Sequence, residues 1–89
     1  MRVVHVSKVA GIAGSERHLL SLLPALRAAG IDARMIVLED DNHAAAEFCR
    51  LLSSVEVPVE RIPIHGDIDL GLTARLSERL RALQPDVVH

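Results

Sequence analysis

Four short β-branched segments alternating with three helix-like ones, an almost purely aliphatic core supply and a glycine-bearing turn after the first strand predict an α/β fold. The expected architecture is three αβα layers around a parallel sheet. Hydrophobic residues make up 49% of the 89-residue chain while aromatics reach only 1%, Phe48 alone. The core must then be Val, Leu, Ile and Ala, as in parallel strands covered by helices on both faces. The length allows one domain with a thin core, burying roughly 60 to 65% of its unfolded surface.

The first strand is expected over 2–6 (R-V-V-H-V), short, β-branched and starting almost at the terminus, as a central strand does. A loop from Ser7 to Gly14 follows, and Ser15 is the expected cap of the first helix, with Glu16 in its first turn. Leu19, Leu22, Leu23 and Leu26 recur at helical spacing up to a stop at Gly30, and Pro24 should kink that helix. A second strand, 33–38, runs into the acidic cluster Glu39, Asp40 and Asp41. Asn42 is the expected cap of a short helix through A-A-A-E-F-C-R-L-L-S. The third strand is expected over 57–62, where Pro58 suits a sheet edge because it has no N–H to give a neighbour. A third helix, 70–83, aligns Leu72, Leu76, Leu80 and Leu83 on one face. Val87, Val88 and His89 read as a fourth strand, cut short. Crossovers of a dozen or more residues between parallel strands are right-handed, which makes strand one central and gives a truncated Rossmann-like sheet of order 3-2-1-4.

Composition excludes several function classes. Net charge is −2 and the basic residues, nine of them Arg, form no tract of the kind nucleic-acid binders carry, so no nucleic acid is expected as a partner. Cys49 is the single cysteine, which implies no internal disulfide, and a reducing cytoplasm is the expected location. No stretch approaches the ~18 apolar residues of a membrane span, and the opening valines do not read as a signal peptide. The five histidines, at 5, 18, 43, 65 and 89, fall on different elements without ligand spacing, so neither a metal nor another cofactor is expected. His5, within the central strand, reads as a hydrogen-bonded core residue. None of the serines lies in G-x-S-x-G, which sets aside that type of hydrolase. Arg75, Arg79 and Arg81 are compatible with a peripheral contact to an anionic membrane, but Glu78 interrupts them as on an ordinary solvated face.

In a doubly wound sheet, ligands sit at the carboxyl ends of the strands, where the loop around Gly11 and Gly14 should lie. The following helix points its unpaired N–H groups and positive dipole end there, so phosphate is a natural guest; a merely tight connection is the plain alternative. The triphosphate loop fails for want of a Lys after Gly14. The dinucleotide fingerprint lacks two of three glycines, with Ala13 and Glu16 in their places, yet Glu39 ends the second strand where a ribose partner would stand. A small nucleotide- or dinucleotide-binding domain of the oxidoreductase type therefore stays open.

The segments R-V-V-H-V, G-I-A-G-S-E-R-H-L-L, L-R-A-A-G-I-D-A, V-P-V-E-R-I-P and P-D-V-V-H resemble the N-terminal domain of the family 4 glycosyltransferases. These are retaining enzymes of GT-B architecture, two Rossmann-like domains facing across a cleft. G-S-E-R is the most specific match, to the pattern G-G-[AS]-E, with Ala13 replacing the first glycine. The resemblance implies that residues 1–89 are part of the acceptor-side domain and that the C-terminal donor domain lies outside them. It places Ala13, Gly14 and Ser15 near the diphosphate of a nucleotide-sugar donor. Gly11, Glu16, Arg17 and His89 become further substrate contacts, His89 toward the acceptor, which is a saccharide or a lipid-linked group. It identifies no catalytic residue here, because most catalytic acidic groups belong to the second domain. The 89-residue chain is accordingly expected not to turn over substrate alone.

Overall fold

A computed structural model describes residues 1–9, 12, 14–39, 45–64 and 71–89. The elements are β1 (Arg2–Lys8), α1 (Gly14–Ala28), β2 (Asp32–Glu39), α2 (Ala46–Ser54), β3 (Val59–Pro63), α3 (Leu72–Leu83) and β4 (Val87–Val88). They form one parallel four-stranded sheet in the order β3-β2-β1-β4. The central place of β1 and the 3-2-1-4 order are therefore as the crossover rule requires.

Side chains alternate across the sheet with period two. Val4 and Val6 of β1 join Ile36 and Ile62 against Leu72, Leu76, Leu80 and Leu83 of α3. The opposite face packs Ala33, Met35 and Val37 against Leu19 and Leu23 of α1 and Phe48, Cys49 and Leu52 of α2. Phe48, the one aromatic residue, is fully buried in this second layer.

Helix ends explain where the expected boundaries moved. Gly30 adopts φ 88°, the left-handed conformation, while its N–H bonds the Arg27 carbonyl and the Ile31 N–H bonds that of Leu26. This is the reciprocal closure that favours glycine just past a helix, so the stop at Gly30 is as expected. The same closure ends α2: Glu56 takes φ 62°, and Val57 donates to the Leu52 carbonyl. Val57 is thus part of a helix cap, and β3 begins at Val59 rather than at 57. Pro58 precedes that edge strand, and its carbonyl accepts from Met35 at 2.9 Å. β1 extends two residues past its expected end, to Lys8, which shortens the loop before α1. Pro24 lies inside an α1 that is assigned unbroken to Ala28. The expected Asn42 cap, the acidic residues Asp40 and Asp41, His43, His65 and Leu70 lie outside the described residues, as do Gly11 and Ala13.

Candidate functional site

Strand β1 offers its polar residues to one side only. With Val4 and Val6 directed to α3, the intervening His5 and Ser7 face α1. Parallel register sets Val4 opposite Val88, so the next residue, His89, comes beside His5. The His89 N–H donates to the Val4 carbonyl at 2.9 Å, and its own carbonyl accepts from Val6 at 3.0 Å, which holds the ring in place. The His5 and His89 rings stack with centroids 4.7 Å apart and planes inclined by 19°. From α1 come Ser15, His18, Leu19 and Leu22, whose i, i+3, i+4, i+7 spacing puts them on a single flank. These seven residues line a cavity of about 340 Å³, within the range of small-molecule sites.

Burial, and secondarily the neighbouring His89, lowers the pKa of His5 and so favours its neutral form. A neutral ring offers one donor nitrogen and one acceptor nitrogen. His5 is thus not the enclosed core residue expected from its central strand; it is half-buried and contributes to the cavity. The histidines, dispersed in sequence, converge here to the number of three. Among the described residues, no group of three or more His, Cys, Asp or Glu side chains is placed to hold a metal ion.

The tip of α1 differs from its flank. The helix opens at Gly14, one residue before the expected start, so Ser15 stands within the first turn and does not cap it. Its hydroxyl donates instead to the Glu16 carboxylate at 2.7 Å. Gly14 is exposed, its φ lies outside the left-handed region, and a Cβ built on it would meet nothing within 4 Å. Among the described residues, neither packing nor backbone angle requires glycine there. Arg17 is exposed on the same turn.

Sequence reasoning singled out Gly14, Ser15, Glu16, Arg17 and His89 in this region but missed His5, Ser7 and His18. The available signal was the alternation V-H-V-S along β1, a strand with polar residues on one face. Glu39, the proposed ribose partner of the dinucleotide reading, is otherwise engaged. Both of its oxygens accept from Arg61, at 3.0 and 2.7 Å, and its side chain is only 13% exposed. Two of the three arginines considered for membrane contact are also used within the fold, Arg79 on Glu60 and Arg75 on the Pro63 carbonyl.

A parallel sheet covered on both faces, with its central strand leading into an open helix tip, defines a Rossmann-like α/β domain. Residues 12–89 match the family model described as Glycosyltransferase Family 4, and the chain belongs to that family. No curated protein and no solved structure matches it. No helix among the described residues is long and apolar enough to cross a membrane.

Proposed function

We propose that this chain is the N-terminal, acceptor-side domain of a GT-B enzyme that transfers a sugar, of the hexosyl type, from a nucleotide-sugar donor to a saccharide or lipid-linked acceptor in the cytoplasm. Gly11, Ala13, Gly14 and Ser15 lie beside the donor diphosphate in this reading, and Glu16, Arg17 and His89 are further substrate contacts. The observation that carries it is Gly14. It begins α1 beyond the carboxyl end of the central strand, and the helix leaves its first N–H groups without intrahelical partners. Glycine costs about 1 kcal/mol relative to alanine inside a helix. Among the described residues, neither backbone angle nor packing demands glycine at this position, and its lack of a side chain leaves the main chain open to approach.

A second Rossmann-like domain, outside residues 1–89, holds the base and ribose and stabilises the leaving diphosphate. Holding donor and acceptor in line is worth on the order of 7 to 11 kcal/mol, which one wall of a cleft does not supply. The chain alone is therefore inactive in this reading. Membership in the glycosyltransferase family and the engagement of Glu39 by Arg61 favour this function over a dinucleotide-dependent oxidoreductase.

The test is Gly14→Val. Because a Cβ meets open space there, thermal stability should stay within about 1 kcal/mol of the parent. Affinity for nucleoside diphosphates, read from backbone amide shifts at residues 14 and 15, should fall roughly tenfold or more as the branched side chain blocks approach. A folded variant with unchanged affinity would move the diphosphate elsewhere.

A further inference from the structure

We infer that the cavity between β1, β4 and the flank of α1 is an acceptor subsite for an uncharged, polyhydroxylated group, a neutral sugar unit, and not for a phosphorylated or acidic one. This rests on the proposed glycosyltransferase function and narrows the class of its acceptor.

The first observation is the charge of the lining. Four other cavities on the described surface each combine at least one arginine with at least one carboxylate: Arg34 with Glu60, Arg61 with Glu78, Arg2 with Asp32, and Arg27 with Glu56. Among the described residues, the His5 cavity is lined by no Arg, Lys, Asp or Glu. An anion there would meet no permanent cation among the described lining residues, so it gains no ion pair to offset the hydration it gives up. Recruiting a cation by protonating His5 is opposed by its burial and by the His89 ring stacked on it at 4.7 Å. The charge that is hydrogen-bonded to the lining through Ser15 is the Glu16 carboxylate, which adds no attraction for an anion.

The second observation is the pairing of surfaces. Leu19, Leu22 and the stacked ring faces form apolar wall, while the Ser7 and Ser15 hydroxyl oxygens, whose protons go to the Lys8 carbonyl and the Glu16 carboxylate, supply acceptors and the imidazole nitrogens supply donors and acceptors along the rim. A hydroxyl group both donates and accepts, so it can satisfy a serine or a neutral imidazole in either role. A pyranose presents C–H faces to the first kind of surface and hydroxyl edges to the second. A site lined by hydroxyl and neutral imidazole groups disfavours ligands that leave those groups unpaired.

The experiment titrates the chain with methyl glucoside, octyl glucoside, glucose 6-phosphate and glucuronate, each followed by the ring C–H signals of His5, His18 and His89. In parallel, uridine and guanosine diphosphates are followed by the amides of Gly14 and Ser15. The neutral glycosides should shift all three rings, with the phosphate and the uronate weaker by roughly tenfold. Equal response to the methyl and octyl glycosides identifies a free saccharide, and tighter octyl binding a lipid-linked one. Ser7→Leu should fill the cavity and abolish the glycoside response while leaving the diphosphate response intact. If that variant does not fold, the ring shifts of the parent chain decide alone. Unmoved rings, or charged sugars binding as well as neutral ones, overturn the inference. Rings unmoved while diphosphates shift Gly14 and Ser15 would remove this subsite and leave the proposed function standing. Shifted rings with a silent helix tip would instead remove the donor reading, and with it the acceptor assignment.

Discussion

The amino end of the sheet and the flank of α1 treat charge in opposite ways. At the amino end, Asp32 accepts from Arg2 at 2.8 Å, Arg27 at 2.9 Å and Arg34 at 3.1 Å, so one carboxylate ties together β1, the end of α1 and β2. Arg27 also bonds the Ala33 carbonyl and Arg2 that of Leu83, while the Arg2 N–H reaches Asp86 just ahead of β4. On the flank, His5, Ser7, His18 and His89 line a cavity that has no Arg, Lys, Asp or Glu among its described lining residues. The difference separates two tasks within one small domain. Charge locks the elements at one end, and the cavity beside His5 has no fixed charge among its described lining residues.

The largest effect expected from this contrast is the loss of Asp32. Asp32→Asn keeps the shape but leaves three guanidinium groups without their shared anion, which should cost about 2 kcal/mol given the partial exposure of the cluster. In a domain of this size that lowers Tm by roughly 8 to 16 °C. His89→Ala, at an exposed position, should cost much less in the same thermal melt. Equal losses would erase the distinction between the two regions.

A pH series sharpens the comparison. Hydrogen bonds from Arg2 and Arg34 hold the Asp32 carboxyl well below the usual carboxylate range. Its stabilisation is thus complete above the unfolded value of about 3.9 and is lost as pH falls through the lower folded value. His5 has the same sign in a higher window, because its folded pKa is also depressed: its contribution is complete above about 6.5 and declines as pH drops below that. Urea unfolding of the parent and of His5→Gln from about pH 7.5 to about pH 3, a span that covers the His5 window and the onset of the Asp32 one, should separate them. The variant should lose the decline that begins near neutrality and retain the acid-end decline. Identical curves would mean that His5 does not titrate as its burial requires.

The smallest effect belongs to Glu47. Its carboxylate meets Arg50 one turn along α2, but both side chains are more than half exposed. Glu47→Ala should leave the Tm unchanged in the same melts, since solvent screens an exposed pair. A loss as large as that of Asp32→Asn would show that ion pairs stabilise this fold without regard to where they sit.

Much of the architecture was legible before any coordinates. The leucine faces of α1 and α3, the glycine stop at Gly30 and the crossover lengths follow from helical period, glycine's access to left-handed angles and the handedness of parallel connections. The start of β3 was not legible, because Glu56 occupies a left-handed position usually given to glycine and so hides the end of α2. The site was legible only in part. Gly14 and Ser15 announce a helix tip locally, whereas His5, Ser7, His18 and His89 come from three elements and up to 84 positions apart.

By itself, then, the chain's order of residues determined the class of fold, the strand order and the family, since these depend on period, spacing and short motifs that act over a few residues. Tertiary structure decided the rest: that Asp32 gathers three arginines, that His89 stacks on His5, and that the flank of α1 borders a cavity with no Arg, Lys, Asp or Glu among its described lining residues. Those facts depend on the register between parallel strands joined by long crossovers. A shift of one residue would turn every side chain of β4 to the other face, and no local pattern in V-V-H specifies which register the packed sheet adopts.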